Sequence, residues 1–410
     1  MYSPAIVQRN VERLEARTRA AGQPITITRH PVADSIGWTE ELAALRDGDK
    51  FLRPLVRAEQ EFIRNEQILC HLDFRYWQER YAWIDRDTET GGGAGPSPLW
   101  HSQTMLLDRI AHTEEIQADA IERGHTADGI RVADHKARQL GHTAISRLIV
   151  MHRHTLHKDF RAMAASVDED KILELYRRDK LIHENLPWFL KPGLDFDVKA
   201  EHLAFEGLNS SILYQQSRQQ SGLGQGRQFN GVSHLTEVAS FPYPGMIEMD
   251  FFPTLPRAAT TVTILESTAQ GRGNWWHEFT ESVRQGFRVD WIYNFTPWYA
   301  EPGKYRRTPP IGWQPSELSL LHAEKVYETS QEFVGKQILL PRDQLYWYET
   351  ERAAYQKQGK LNVFLSNWCA TPAESFQHTN VSAFPPEFLE EARLRAAPGT
   401  PYGMRAEAVH

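Results

Sequence analysis

One stretch, residues 129–144, constrains the fold more than any other part of the chain. It begins with a β-favouring segment at Gly129, passes through a loop with two cations and a glycine, and continues into the apolar spacing of a buried helix from Ile145 to Val150. A helix N-terminus carries unpaired N–H groups and a partial positive charge, so a loop that enters a helix there can hold a phosphate chain. We therefore expect a phosphate-binding loop between a strand and a helix.

The loop departs from the usual phosphate-binding pattern. That pattern is G-x-x-x-x-G-K-[ST], in which the lysine contacts the outer phosphates and the hydroxyl ligates Mg²⁺. Gly141 and Thr143 are in register with it, whereas His142 replaces the lysine and Lys136 stands where the first glycine would be. A cation on the phosphates must then come from Lys136 or Arg138. On spacing alone, an ordinary strand–glycine–helix turn explains the stretch equally well.

The region around the loop predicts the fold class. From residue 129 to about residue 295 strand and helix patterns alternate, which indicates a layered α/β domain with a mostly parallel central sheet flanked by helices. The glycine-rich segment 91–98 predicts a subdomain boundary. The predicted division of the chain is residues 1–97 as an N-terminal helical segment, 98–300 as the core, 301–391 as helical lid, and 392–410 as a linker.

Charge and cysteine content exclude several classes of protein. The net charge of -7 rules out a uniformly basic nucleic-acid coat, although it permits a local basic groove. Two cysteines cannot form a disulfide framework or a four-thiolate zinc site, which fits a reducing compartment. No apolar run is long enough for a membrane span, so we expect a cytosolic protein without membrane partners.

Polar residues follow two predicted strands of the core. Thr236 and Glu237 could supply a Mg²⁺-organising oxygen and a carboxylate that orients the attacking water, although a glutamate at a strand end is common. Ser267 and Thr268 end the next strand, where ligands bind in open α/β sheets, but both residue types also favour helix caps. Gln103 precedes the loop and has the amide needed to read adenine, although a helix-surface position would explain it as well.

Two clusters are interpreted as structural. His152, His154 and His157 lie on the helix after the loop without the spacing of metal ligands, which predicts a solvated helix end. Aromatic residues at 346–348 and 355 form a stripe at helical spacing, which favours core packing over stacking on nucleic acid.

Taken together, three segments resemble the ATPase domain of the large terminase subunit, the DNA-packaging motor of tailed bacteriophages. They are Lys136-Ala137-Arg138-Gln139-Leu140-Gly141-His142-Thr143, Leu235-Thr236-Glu237-Val238-Ala239, and residues 265–275 with Glu266-Ser267-Thr268 near their start. Residues 368–376 resemble the family's segment after the core. The resemblance covers roughly residues 60–390 and implies a P-loop, ASCE-type NTPase core with a small, mainly helical lid subdomain that combines 1–97 with 301–391.

The resemblance also implies ligands and residue roles. ATP and Mg²⁺ are the expected cofactors; Lys136 takes the phosphate-binding role with help from Arg138, Glu237 activates water, and Ser267-Thr268 match the coupling motif. Arg227 matches an arginine offered to a neighbouring subunit's nucleotide, although a loop arginine is as often a surface or DNA contact. The expected nucleotide-binding residues are Gln103, Lys136, Ala137, Arg138, Gln139, Leu140, Gly141, His142, Thr143, Ser267 and Thr268, and the expected metal ligands are Thr143 and Thr236.

The expected partners are double-stranded DNA, the portal protein of the procapsid and the small terminase subunit, in a homo-oligomeric ring in the host cell cytoplasm during virion assembly. Large terminases normally continue into an RNase-H-like nuclease, and no strand with metal-binding aspartates appears before His410. We expect the nuclease to have been removed or to lie on another chain. Two alternatives stay open: a nucleotide-binding assembly adaptor with little hydrolysis, which His142 and Thr236 favour, and a helicase-like DNA remodeller, which would need a second α/β domain.

Overall fold

A computed structural model describes residues 1–85, 93–96, 98–195, 202–218, 222–224, 226–376 and residue 395. The chain divides into two compact units. The first comprises Met1–Asp134, Gln139–Ser267 and Glu278–Asn294, and the second comprises His135–Arg138, Thr268–His277 and Phe295–His410. The predicted linker 392–410 lies outside the described residues apart from residue 395, and the predicted boundary at 91–98 lies largely outside them.

The helices and strands follow in chain order. The α-helices are α1 Pro4–Ala20, α2 Val32–Ala44, α3 Arg57–Leu72, α4 Phe74–Tyr81, α5 His101–Glu122, α6 His142–Leu156, α7 Glu169–Glu184, α8 Trp275–Arg284, α9 Glu317–Val334, α10 Arg342–Lys357, α11 Leu361–Asn367 and α12 Pro372–Ser375. The strands are β1 Arg46–Asp47, β2 Lys50–Phe51, β3 Trp83–Asp85, β4 Ala94–Pro96, β5 Ile130–Lys136, β6 Arg161–Ser166, β7 His202–Phe205, β8 Ser210–Gln216, β9 Val232–Thr236, β10 Val262–Ser267 and β11 Ile292–Thr296.

Among the described residues, seven strands form the central sheet, in the order β11–β5–β10–β9–β6–β8–β7. Strands β10, β9, β6 and β8 are parallel, and β7 pairs with β8 in antiparallel orientation at one edge. The backbone N–H of Ile130 donates to the Thr261 carbonyl at 2.8 Å, so β5 and β10 begin at the same end of the sheet. The predicted α/β fold with a mostly parallel sheet flanked by helices is confirmed.

Hydrophobic burial explains this arrangement. Strands β9 and β10 are buried along their whole length, as expected for central strands of a parallel sheet with helices on both faces. Helix α6 is buried from Ile145 to Thr155, so it lies inside the first unit rather than on its surface. A sheet in which the central strands run the same way gathers their carboxyl ends at one end of the sheet, where Lys136, Thr236 and Ser267 are the last residues of β5, β9 and β10.

The N-terminal helices belong to the first unit. Phe62, Leu69 and Cys70 of α3 and Trp77 of α4 join one hydrophobic core with Val132 of β5. This grouping differs from the expected lid, in which residues 1–97 combine with residues 301–391. The reason is physical: the apolar faces of α3 and α4 are large, and they are buried in the same core as the sheet.

The second unit is built around aromatic rings. Trp298 is fully buried and stacks on Tyr348 of α10, with 5.8 Å between the ring centroids. The His322 ring of α9 also stacks on Tyr348, with 3.7 Å between the centroids. Trp347 contacts Trp298 at 5.3 Å, and Tyr355 contacts Phe364 at 5.7 Å. The aromatic stripe of α10 therefore packs within its own unit, as the preferred interpretation of the sequence predicted. In the described ranges, none of the helices has the length and apolarity required to cross a bilayer.

Candidate nucleotide-binding site

The loop between β5 and α6 has the backbone of an anion-binding turn. Strand β5 ends at Lys136 and α6 begins at His142. Gln139 and Gly141 both have positive φ, 55° and 73°, and Gly141 is the N-cap residue of α6. A left-handed non-glycine residue costs roughly 1–2 kcal/mol, so the loop holds Gln139 in a strained conformation. The first N–H groups of α6 lack intrahelical partners and lie at the positive end of the helix dipole.

The predicted phosphate-binding cations occupy the start of this loop. Lys136, Ala137 and Arg138 group with the second unit, where the Ala137 N–H donates to the Thr296 carbonyl at 2.9 Å and the Arg138 N–H donates to the Asn367 carbonyl at 2.8 Å. Lys136 is half-buried and the Arg138 side chain is exposed. Backbone hydrogen bonds thus fix the path of this segment while the Arg138 guanidinium faces solvent.

Gln103 contacts the other end of the loop. Its Nε2 donates to the Gly141 carbonyl at 3.0 Å, and its Oε1 accepts from the Trp100 N–H at 2.9 Å. A Cβ at Gly141 would lie 2.5 Å from Gln103 Nε2 and 3.1 Å from the Trp100 ring, so the close contact as well as the positive φ requires glycine. The structure brings Gln103 to the loop, but as a brace with a buried amide. Its predicted contact with adenine stays a prediction.

Thr143, the expected Mg²⁺ ligand, binds a buried carboxylate. Its Oγ1 donates to Glu266 Oε1 at 2.7 Å, and the other carboxylate oxygen of Glu266 lies 2.7 Å from His234 Nε2. Glu266 is 1% exposed and His234 is fully buried. Burial lowers the pKa of His234, and the hydrogen bond and charge of Glu266 oppose that shift. A hydroxyl, a carboxylate and an imidazole thus form one connected group at the N-terminus of α6.

His142, at the position of the usual lysine, points into the protein. Its Nδ1 lies 2.7 Å from Asp134 Oδ2, and Asn294 Nδ2 donates to Asp134 Oδ1 at 2.7 Å. All three side chains are fully buried, and within the described ranges His142 Nε2 has no hydrogen-bond partner. His142 was expected among the nucleotide-binding residues, but its side chain is engaged with Asp134. What it can offer an anion is the backbone N–H at the start of α6.

The second predicted motif lies two strands from the loop. Thr236 ends β9, is buried, and is the register partner of Glu266 on β10. Glu237 follows with an exposed side chain and left-handed backbone, φ 58° and ψ 34°, before the short 3₁₀ turn Val238–Ser240. A left-handed glutamate costs about 1–3 kcal/mol and is found mostly where the surrounding structure requires one particular side-chain direction.

A hydrogen bond links the ends of β9 and β10. The Ala239 N–H, two residues after Glu237, donates to Ser267 Oγ at 3.1 Å, and Ser267 is buried. This hydrogen bond connects the end of β10 directly to the turn that carries Glu237. Thr268, the other half of the predicted coupling motif, groups with the second unit.

Solved structures that this chain resembles include bacteriophage large terminases. The HK97 large terminase matches with a TM-score of 0.47 and 9% sequence identity over 73% of this chain, which spans 54% of the HK97 protein. The Thermus phage P74-26 large terminase ATPase domain matches at 0.35 and 12% identity, over 60% of this chain and 90% of that domain. The large terminase of a further thermophilic bacteriophage, solved in complex with ADP, matches at 0.34 and 14%, over 49% and 46% of the two chains.

No protein-family model matches the sequence, and the comparison with curated proteins found no match. The chain spans about half the length of the HK97 terminase that it resembles.

Arg227 lies near the amino ends of the parallel strands, at the opposite end of the sheet from the loop. It lines a surface cavity of about 780 Å³ together with Asp250, with Arg161 at the start of β6 and with Ser211, the second residue of β8. Its guanidinium contacts His202 Nε2 at the start of β7. Since the loop follows the carboxyl end of β5, Arg227 is not part of the same group of side chains as Thr143. Its role toward a neighbouring subunit stays a prediction.

Sequence reasoning missed two carboxylates of this region, Glu266 and Asp134. Glu266 stands directly before Ser267 at the end of the mainly apolar strand β10, and Asp134 follows Val132 and Ala133 inside β5. A charged residue inside a strand that is otherwise suited to complete burial is the signal that points to such positions, because burial of an unpaired carboxylate is costly.

Proposed function

We propose that this chain is the ATP-hydrolysing part of a motor that moves double-stranded DNA into a viral procapsid. One observation carries the proposal: Thr143, at the N-terminus of the helix after a strained glycine loop, donates to a buried carboxylate. The motifs that resemble large terminases supply the expectation of DNA packaging. Glu237 is exposed and directly follows the carboxyl end of β9, and it supplies the second acidic group.

The proposed roles divide binding from chemistry. The first N–H groups of α6 and the Lys136 ammonium bind the phosphate chain, with Arg138 in support. Glu237 orients and deprotonates the attacking water, as a carboxylate at this position does in NTPases. Its left-handed backbone and its exposure support this role, since strained backbone conformations cluster at functional sites.

The residues present fit Mg²⁺. This ion prefers oxygen ligands and usually keeps several waters, with one or two carboxylates and the substrate phosphates completing its shell. Thr143 offers a hydroxyl oxygen whose hydrogen is held by the Glu266 carboxylate at 2.7 Å, whereas no set of three or more histidine, cysteine or acidic side chains in the described part of the chain could hold a metal ion. When bound, Mg²⁺ would neutralise charge on the phosphates during hydrolysis.

The link between the strand ends supports a proposed coupling of hydrolysis to DNA movement. Ser267 contacts the N–H of Ala239, so the strand end that would respond to the terminal phosphate is tied to the turn that carries Glu237. Lysine and arginine side chains would contact DNA phosphates without reading bases, so DNA binding should weaken steeply with salt. The portal protein, the small terminase subunit and further copies of this chain in a ring, within the host cytoplasm, are the proposed partners.

A two-variant experiment tests the proposal. Glu237→Gln should bind a fluorescent ATP analogue with wild-type affinity and release no phosphate above background, whereas Lys136→Ala should lose affinity for the analogue. Glu169→Gln, at an exposed position in the first turn of α7, is the matched control and should behave as wild type. Normal phosphate release by both Glu237→Gln and Lys136→Ala would contradict the site.

A second function has a specific observation in its favour. The usual lysine position is filled by a buried histidine, and the usual aspartate by Thr236, so the chain would bind nucleotide as an assembly adaptor with little hydrolysis. Phosphate release measured with and without double-stranded DNA separates the two. A DNA-stimulated rate supports the motor, and nucleotide binding without release in either condition supports the adaptor.

A further inference from the structure

A buried carboxylate lies where the predicted metal site lacks one. Thr236, expected as a metal ligand, is neutral, and its register partner on the neighbouring strand is Glu266. Side chains of register partners in a parallel pair point to the same face of the sheet, and adjacent strands are about 4.8 Å apart. The negative charge that Thr236 does not provide is therefore present one strand away, on the same face.

Strand order places this charge nearer to the loop. Strand β10 lies between β5, which leads into the loop, and β9, which ends at Thr236. A side chain at the end of β10 is thus one strand from the loop strand, whereas Thr236 is two strands away. The hydrogen bond between Thr143 Oγ1 and Glu266 Oε1, at 2.7 Å, is the direct evidence that Glu266 reaches α6.

Both carboxylate oxygens of Glu266 are held. Oε1 accepts from Thr143, and Oε2 lies 2.7 Å from Nε2 of the fully buried His234. Because Thr143 gives its hydroxyl hydrogen to Glu266, the lone pairs of Oγ1 stay available to a cation. His234, held on the far side, fixes the rotation of the carboxylate about its last bond.

We propose that Glu266 supplies the acidic function of the Mg²⁺ site in place of Thr236, acting through Thr143, with His234 as the residue that orients it. This inference rests on the proposed ATP site. Glu266 and His234 are positioning residues in this assignment, since neither touches the nucleotide. The alternative is a buried hydrogen-bonded group whose role is confined to stability.

The dependence of nucleotide affinity on Mg²⁺ separates these roles. The measurement is the dissociation constant of a fluorescent ATP analogue on the full chain, in Mg²⁺ and in EDTA, and the quantity compared is the ratio of the two. In Glu266→Gln, which keeps the size of the side chain and an acceptor for Thr143, the affinity in EDTA should stay at the wild-type value. The increase in affinity on adding Mg²⁺, called the Mg²⁺ gain below, should fall by roughly 10–100-fold. This is the usual effect of removing a partner of a metal ligand.

Variants on the neighbouring strand provide the controls. Thr236→Val should keep the wild-type Mg²⁺ gain, and Glu266→Gln combined with Thr236→Asp should recover part of it, because the charge returns to the same face one strand away. If Glu266→Gln does not fold, as judged by thermal unfolding followed by circular dichroism, Glu266→Asp replaces it and should show a smaller Mg²⁺ gain with unchanged affinity in EDTA.

Two outcomes overturn different statements. A wild-type Mg²⁺ gain in folded Glu266→Gln, or its loss in Thr236→Val, overturns the assignment of Glu266 and leaves the ATP site standing. Absence of analogue binding by the wild-type chain in both Mg²⁺ and EDTA overturns the proposed function, and the assignment of Glu266 with it.

Discussion

Two groups of buried histidines in the first unit differ in their surroundings. The carboxylate-paired histidines are His142, beside Asp134, and His234, beside Glu266. The acid-free histidines are His152, His154 and His157 near the C-terminal end of α6, and in the described part of the chain none of them forms an ion pair with a carboxylate. The paired group lies beside the candidate site, and the acid-free group lies among aromatic rings.

Packing explains the acid-free group. The His152 ring lies 5.2 Å from the Trp77 ring and donates from Nε2 to the Cys70 carbonyl at 2.7 Å. His154 Nε2 accepts from the Val232 N–H at 3.4 Å, which requires a neutral ring. The predicted solvated helix end is therefore wrong: the end of α6 is covered by α3 and α4, so its histidines are core residues. The comparison teaches that burial alone does not indicate a functional histidine, and that the two groups differ in the carboxylate beside the ring.

The largest effect should follow from removing Asp134. Asp134→Ala removes the buried acceptor of His142 Nδ1 and of Asn294 Nδ2, and each buried donor that loses its acceptor costs about 1–3 kcal/mol of unfolding free energy. Urea unfolding at neutral pH measures the change. Asp108→Ala, which breaks the surface pair with Arg75, is the control and should cost less than about 1 kcal/mol. Equal losses in the two variants would show that the paired group has no special stability role.

A second prediction sharpens the difference in chemistry. Thr143→Val removes the hydroxyl that contacts Glu266, and phosphate release should fall by roughly 100-fold, the upper end of the range for disturbed metal sites. His152→Gln, in the acid-free group, keeps a donor for the Cys70 carbonyl and should leave phosphate release within about twofold of wild type. A comparable loss in both variants, with both folded, would place the acid-free group in the mechanism.

The acid-free group should make stability depend on pH. Burial lowers the pKa of His152 and of His154 to about 3, with the nearby Arg153 adding to the shift in both. The unfolded chain binds protons at these residues below its pKa of about 6.5, so the stability they confer is complete above that pH and is lost as pH falls toward 3. Each contributes up to about 1.4 kcal/mol per pH unit within this window.

The test compares urea unfolding of wild type and His152→Gln between pH 7.5 and pH 4.5. The variant should lose stability less steeply on acidification. His125→Gln, at an exposed position, should retain the wild-type slope. Identical slopes for all three proteins would mean that His152 titrates normally in the folded state.

The smallest effect concerns the backbone at Glu237. Asparagine tolerates the left-handed conformation better than glutamate, so Glu237→Asn should raise the free energy of unfolding by up to about 1 kcal/mol while abolishing phosphate release. Thermal and urea unfolding measure the gain. A loss of stability in this variant would show that the glutamate side chain itself stabilises the turn.

Much of the fold was predictable from sequence because it depends on local patterns. The strands and helices from residue 129 to residue 296 follow hydrophobic periodicity, and the turns follow glycine and asparagine, so the mostly parallel sheet was expected. Gly141 was recognised from its place before a helix, and the structure adds the close contact with Gln103 that requires it. Each of these predicted features depends on residues that lie close together in the sequence.

The remainder depends on contacts between distant segments. Glu266 lies 123 residues from Thr143 in the chain, and its importance follows from strand order, which sequence periodicity does not specify. The burial of His152 requires α3 and α4 to cover the end of α6, a packing choice made by helices with no chemical motif. The grouping of the N-terminal helices with the sheet escaped prediction for the same reason.

The brace formed by Gln103 has a mechanical consequence. Its amide ties the Gly141 carbonyl to the first turn of α5, a helix of 22 residues and thus about 33 Å long. At the far half of that rod, Glu114 binds the N-terminal ammonium group and the N–H groups of Tyr2 and Ser3. Both contacts are made to one helix, so the positions of Gly141 and of the first residues of the chain are set by the same rigid element.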